Sequence, residues 1–274
     1  AERRALAWLV AQQAPDGGWN APQGKNHRCG LTGLSLLALL RADASLLPKD
    51  GDAAIRRAAR FLVSELQPDG RIGATDHPQV STNHAIALLA LSEAAERAQE
   101  ASWVEAAIKA TEWCMMTQNP YKAWRYGVKP GDNDSYVTSW MLLAIRRATQ
   151  IGATTDVTRI RDAFGVIDSY TDPLTGVVGY YMRKMGSIKS DGAGGYVTLT
   201  SERLVNGKPV KEPATHVEVA LTPLVLMARK AWDQDPVSTP SIRLSLKAVA
   251  ASPPVWEFDH DTMADVGYFY FGAE

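Results

Sequence analysis

The chain has 274 residues, 46% hydrophobic and 22% charged, with 29 lysines and arginines against 30 acidic residues for a formal charge of −1. That composition excludes a disordered chain, and the charge balance excludes the basic footprint of a nucleic-acid-binding protein. The longest apolar runs, near residues 31–40 and 217–228, fall short of the roughly 20 residues of a membrane-spanning helix, and two cysteines, Cys29 and Cys114, exclude a disulfide scaffold.

The chain opens directly in a helical pattern with no basic-then-apolar leader, as a domain cut from a longer protein would. Residues 6–19 begin a motif that recurs at 59–72, 112–124 and 166–177: an amphipathic run, a polar turn with proline, then a small or aromatic residue. The prolines are Pro15, Pro68, Pro120 and Pro173, spaced by 53, 52 and 53 residues. A fixed period of this size is the signature of a repeat architecture.

Each turn leads into a second apolar run, at 30–42, 81–98, 134–148 and 215–231. These runs are apolar on nearly all faces, as buried helices are, and most close on cations (Arg41, Arg146 with Arg147, Arg229 with Lys230) that suit the negative end of a helix dipole. The first runs are amphipathic instead. In the second repeat Ile55, Ala59, Leu62 and Leu66 share one helical face, and Arg56, Arg57, Arg60 and Glu65 take the other. Ser102 with Glu105, and Thr215 with Glu218, fit capping boxes, and Thr239 before Pro240 fits an N-cap followed by proline at the first helical position.

Residues 179–213 break the period. They include valine-bearing stretches at 196–199 and 203–210, with Asn206-Gly207 inside the second and a glycine-rich tip at 191–195. Asn-Gly is the strongest short hairpin signal, so this is an inserted β-hairpin, either decoration or a lid or docking surface. A fifth helical pair is drawn at 241–251 and 262–272. The expected architecture is all-α: one α/α-toroid domain over residues 1–274, built of about five helical hairpins with outer amphipathic and inner buried helices. An open superhelix of shorter repeats is the alternative.

The run from Gln12 to Trp19, Gln-x-x-Pro-Asp-Gly-Gly-Trp, resembles the QW-type repeat of squalene and hopene cyclases. Residues 119–148 and the closing aromatic stretch from Gly267 to Gly272 are similar to bacterial prenyltransferase/squalene oxidase repeat proteins. That resemblance covers nearly all of the chain outside the insertion. It implies membership of the terpenoid cyclase and protein prenyltransferase superfamily, whose members are α/α toroids, and it leaves the reaction unassigned.

In such a toroid the turns before the inner helices gather at one rim, where helix N-termini present free N–H groups and positive dipole ends. His27, Cys29, His84, Asp132, Asp134, His216 and Glu218 fall there. By resemblance to the Asp-x-Asp-Asp motif of class II terpene cyclases, Asp134 would be a general acid and Asp132 its neighbour, although Ser135 stands where that motif has its last aspartate. Protonating an alkene needs a carboxylic acid kept protonated, whereas Asp134 or Ser135 equally suits a helix cap, a position that lowers a carboxylate's pKa.

His84, His216, Trp124, Tyr126 and Tyr136 are the candidate ligand-binding residues. No close Cys or His spacing marks a metal site, and neither cysteine sits in the Asp-x-Cys element of zinc-dependent prenyltransferases. No thioester motif, nucleophile elbow or P-loop is present, and no cofactor is expected. Three readings remain open. One is a binding module for an apolar ligand, peptide or protein partner at the cavity or rim, and another is an isoprenoid-handling enzyme. The third is a glycan-active toroid in which Trp19, Trp124, Arg125, Tyr126 and Tyr136 stack against sugar, residues that serve equally as packing staples between repeats.

Overall fold

Helices form where the two apolar periods place them. The computed structural model describes residues 1–20, 27–74, 79–180, 200–205, 208–213 and 216–251, the stretches within 200–220 by their backbone alone. In chain order the described helices are α1 (Glu2–Ala11), α2 (Arg28–Arg41), α3 (Gly51–Ser64), α4 (Val80–Ala98), α5 (Ala101–Thr117), α6 (Ser135–Gln150), α7 (Val157–Tyr170), α8 (His216–Ala231) and α9 (Pro240–Ala251). A single 3-10 turn at Ala44–Leu46 links α2 to α3. The chain divides into two compact units, Ala1–Asp132 with Trp140–Ile160, and Asn133–Ser139 with Arg161–Glu274.

In the first unit the division into outer and inner helices holds. α3 buries Ala54, Ile55, Ala58, Ala59, Phe61 and Leu62, while Arg56 and Arg60 stay toward solvent, as an amphipathic helix requires. In α4 every residue from Val80 to Ser92 is buried. Glycine brings the inner helices together: a Cβ on Gly33 of α2 would lie 2.9 Å from the Ile86 carbonyl oxygen of α4, so only a residue without a side chain fits. α5 begins at Ala101 with Glu100 at its N-cap. The expected Ser102–Glu105 capping box is therefore not formed, and the Ser102 hydroxyl donates to Glu100 Oε1 at 3.3 Å.

The proline turns are one device used four times. Backbone N–H groups of Ala14, Gln67, Asn119 and Asp172 donate to the carbonyls of Gly18, Arg71, Ala123 and Val177 at 2.7–2.9 Å. In the first, second and fourth repeats the residue after the turn then ties to its inner helix. Trp19 N–H donates to Thr32 Oγ1, Ile72 N–H to His84 Nδ1 and Val178 N–H to Thr222 Oγ1, all at 3.0 Å. In the first and third repeats a glutamine adds a clasp with the same spacing. Gln13 Nε2 donates to the carbonyls of Gly17 and Ala54, and Gln118 Nε2 to those of Lys122 and Arg159. The indoles match: Trp19 Nε1 donates to Leu9 O and Trp124 Nε1 to Cys114 O, both at 2.8 Å.

The second unit is closed by Arg229, 3% exposed, which donates to Asp168 Oδ1 at 2.5 Å and Gln234 Oε1 at 2.6 Å and lies over the Phe164 ring. α9 opens at Pro240, as expected from Thr239-Pro240. The inserted hairpin is present as antiparallel strands β1 (Thr200–Val205) and β2 (Lys208–Pro213). Val205 pairs with Lys208, so the register brackets Asn206-Gly207, and the two strands extend beyond the expected 203–210 stretch, to Thr200 on one side and Pro213 on the other. The expected tip at 191–195, the stretch 196–199 and the fifth inner helix at 262–272 lie outside the described residues. Among the described residues no helix is long and apolar enough to cross a membrane.

Candidate functional site

The turn and loop from Asn119 to Asp132 join α5 to α6 and carry exposed or half-exposed Tyr121, Lys122, Arg125, Lys129 and Asp132. The Asn119 side chain cross-links its two ends. Nδ2 donates to the Asp132 carbonyl at 2.5 Å, and Oδ1 accepts the Gly131 N–H at 3.5 Å. The loop is pinned to α4 through Ser81, whose N–H donates to Tyr126 O at 3.1 Å and whose hydroxyl donates to Gly127 O at 3.3 Å.

On that frame Tyr121 is 66% exposed and Tyr126 is half-buried. Arg125 pairs with Asp132, their side chains 27% and 57% exposed. Lys122 and Lys129 are exposed and both have positive φ, 84° and 48°, a conformation that costs an L-residue about 1–2 kcal/mol. Phenol ring, guanidinium, carboxylate and ammonium groups on one short loop can stack on a sugar face and bond its hydroxyls.

Several sequence-chosen residues have other tasks. His84 is fully buried, its Nδ1 accepting from Ile72 N–H and its Nε2 facing Ala110 O at 3.1 Å, so it is the Nε2–H tautomer. It packs on Trp113 with ring centroids 4.3 Å apart. Burial holds its pKa down at about 3. With both nitrogens engaged and no exposed face, His84 is a core tie and not a ligand residue, and the rim reading is withdrawn for it. Trp124 is 1% exposed with its indole N–H committed to Cys114, so it is a packing staple, as is Trp19 at 5%.

Asp134 is fully buried and caps α6: its Oδ1 accepts the Val137 N–H at 2.7 Å. Ser135 donates to Gly179 O. Asp132 is exposed and engaged with Arg125. Tyr136 is half-buried on α6. His216 opens α8, its side chain and that of Glu218 outside the described set. His27 sits at the N-cap position of α2.

Cys29 is 7% exposed, its thiol facing Glu65 Oε2 at 3.9 Å, and burial with the nearby carboxylate pushes its pKa up to about 12. Burial raises Cys114 as well. Neither is a ready thiolate for a nucleophile or a metal. Among the described residues no three His, Cys, Asp or Glu side chains group as a metal site.

The second unit holds a separate half-open cavity of about 520 Å³ between α8 and α9, lined by Leu226, Met227, Ile242, Leu246 and Val249 with Arg229 and Gln234 at its polar side. Composition alone did not reveal the Asn119–Asp132 loop as a unit. Its signal was the departure of Tyr121-Lys122 from the Asp-Gly of the first two turns.

No family model matches the chain. Two uncharacterized bacterial proteins share short stretches: one of Bradyrhizobium diazoefficiens is 48% identical over 65 residues, 24% of this chain and 12% of its own. One of Sinorhizobium fredii is 42% identical over 74 residues, 27% of this chain and 14% of its own. The chain thus matches only a small part of those relatives.

Two solved structures superpose over most of it. A polysaccharide lyase does so with a TM-score of 0.56 at 11% identity, covering 89% of this chain and 71% of that one. An inactive variant of the alpha-1,6-mannanase GH76A of Salegentibacter sp. HEL1_6, in complex with alpha-1,6-mannotriose, does so with a TM-score of 0.54 at 10% identity, covering 94% and 72%. At such identities the likeness carries the fold. The fold is all-α, of the α/α-toroid class.

These neighbours overturn the resemblance to prenyltransferase/squalene oxidase repeat proteins and the terpenoid-cyclase assignment, which was the ground for giving Asp134 and Asp132 an alkene-protonating role. The capping geometry of Asp134 agrees, since its Oδ1 accepts the helix N–H of Val137. An apolar partner does not fit glycan-active neighbours either.

Proposed function

We propose that residues 1–274 act as one glycan-active α/α-toroid domain that takes a polysaccharide at the Asn119–Asp132 loop. The observation that carries this reading is the exposed Tyr121 ring on the same cross-linked loop as the Arg125–Asp132 pair. A pyranose presents C–H groups on one face and hydroxyls around its edge. A tyrosine face stacks on the first, and a guanidinium–carboxylate pair donates to and accepts from the second. Tyr126, half-buried beside them, extends the platform. Support comes also from the fold shared with a polysaccharide lyase and an alpha-1,6-mannanase, although fold alone does not assign a reaction.

In this reading Arg125 and Asp132 orient the sugar, and Asp132 is the exposed carboxylate available at the loop for proton transfer. The ion pair is a recognition device more than a stability device, because partly exposed pairs contribute about 0–1 kcal/mol.

Affinity electrophoresis tests the proposal, with neutral alpha-1,6-mannan and polygalacturonate in the gel, alongside an assay for new reducing ends. Retardation by at least one glycan, weakened about tenfold in Kd by Tyr121→Ala, is the expected result. Unaltered mobility in every glycan, together with no new reducing ends, would refute it.

A further inference from the structure

In the first unit an inner helix and the outer helix after it make a wedge that the next inner helix fills. α2 and α3 pack on one another, and α4 packs on both. Every residue of α4 from Val80 to Ser92 is buried, and α3 buries Ile55, Phe61 and Leu62.

α8 and α9 are the same inner-then-outer pair in the second unit, and they too pack on one another. Their wedge is the half-open cavity of about 520 Å³. On its walls α8 leaves Leu226 and Met227 half-buried, although Leu221 to Val225 just before them are all buried. α9 buries Ile242 and Ser245 but leaves Leu246 46% exposed and Val249 half-buried. A contiguous apolar surface of this kind on two packed helices marks a place that another surface covers.

The sequence after α9 carries that surface. Residues 252–274 hold six aromatic residues, Trp256, Phe258 and the unbroken run Tyr268-Phe269-Tyr270-Phe271, and no lysine or arginine. Four rings in succession leave no polar face at helical or extended spacing, which is the pattern of the inner helices and not of the outer ones. Pro253 and Pro254 stand between α9 and the aromatic run, as Pro15, Pro68, Pro120 and Pro173 stand between the earlier outer and inner runs.

We propose that the aromatic segment of this chain, residues 262–272, is the occupant of the α8–α9 cavity, seated there as α4 is seated on α2 and α3. The cavity is then an internal docking surface closed by the chain itself and not a pocket for a small ligand. Rings set against Leu226, Met227, Ile242, Leu246 and Val249 take apolar surface on both sides out of water, which drives such contacts. This docking stands apart from the glycan reading, which concerns residues 119–132.

The test is proximity in the full chain, where the native Cys29 and Cys114 are buried. Leu246→Cys is combined in turn with Tyr268→Cys, Phe269→Cys, Tyr270→Cys and Phe271→Cys and treated with a short bis-maleimide. Lys247→Cys, exposed on the same helix but outside the cavity lining, is the control with the same four partners. At least one Leu246→Cys pair should crosslink within the molecule about tenfold faster than its Lys247→Cys counterpart. Stability gives a second reading. Leu246→Asp, and Phe269→Ala together with Phe271→Ala, should each lower the Tm, and all three combined should lose less than the sum, because the surfaces touch. Equal rates from the two cysteine positions, or additive losses of Tm, overturn the inference. Crosslinks that form only between molecules overturn it in favour of a second copy of the chain.

Discussion

His84 shows how a single residue can look functional in a sequence and serve the core. Its ordinary pKa of 6.5 falls to about 3, chiefly because burial penalises the imidazolium. Between those values the unfolded chain binds the proton and the folded chain does not. The stability this histidine contributes is therefore complete above pH 6.5 and is lost as the pH falls toward 3, at about 1.4 kcal/mol per pH unit. Urea unfolding between pH 7 and 4 should show that slope, and His84→Gln should flatten it while lowering stability at pH 7. Asp134 calls for a gentler test. As a cap, Asp134→Asn should stay within about 0.5 kcal/mol of the parent, and Asp134→Ala should cost about 1–2 kcal/mol in thermal unfolding. The cap was legible from Asp134 standing just before an apolar run. The role of His84 was not, because only the packed structure shows that Ile72 and Ala110 supply both of its partners.

The turns and helices were the most legible elements, because proline spacing and apolar periodicity are both written in one dimension. What that reading missed is which turn glycines are indispensable, a matter of what packs against them. A Cβ on Gly17 would lie 2.3 Å from the Arg57 carbonyl oxygen at φ 97°, so Gly17→Ala should cost about 3 kcal/mol or more. Gly165, inside α7, has nothing within 4 Å of its would-be Cβ, and Gly165→Ala should stabilise by about 0.5–1 kcal/mol. Differential scanning calorimetry of the pair checks both signs. The α5 boundary was misplaced because Ser102 and Glu105 fit a capping box in sequence, while the helix starts two residues earlier, with the Glu100 carbonyl accepting the Trp103 and Val104 N–H groups.

At the scale of the whole chain, the fold class was readable from repeat length and from alternation of half-buried with fully buried helices. The family resemblance was not a safe guide, because Gln-turn-Trp chemistry is a solution to packing hairpins and not a signature of what a cavity holds. Trp19 and Trp124 spend their indole N–H groups on the outer helices before them, and Gln13 and Gln118 spend their amides on the outer helices after them. Burial along α4 predicts where the fold is most resistant to opening. Amide hydrogen exchange should find the residues from Val80 to Ser92 among the slowest in the protein, exchanging at the rate of global unfolding. The ends of α1 and α9 should exchange faster.

The clasp made by Gln13 and Gln118 has a further consequence. Each glutamine grips its own turn and the next outer helix at the same separations, four and 41 residues downstream, so the distance along the chain between grips is fixed like the pitch of a rack. A deletion of one or two residues between them would leave a tooth without its notch, whereas loss or duplication of a complete period would re-engage every one. Lineages of such chains are expected to change size in steps of some fifty residues, with smaller variations confined to segments such as 179–213 that lie outside the gearing.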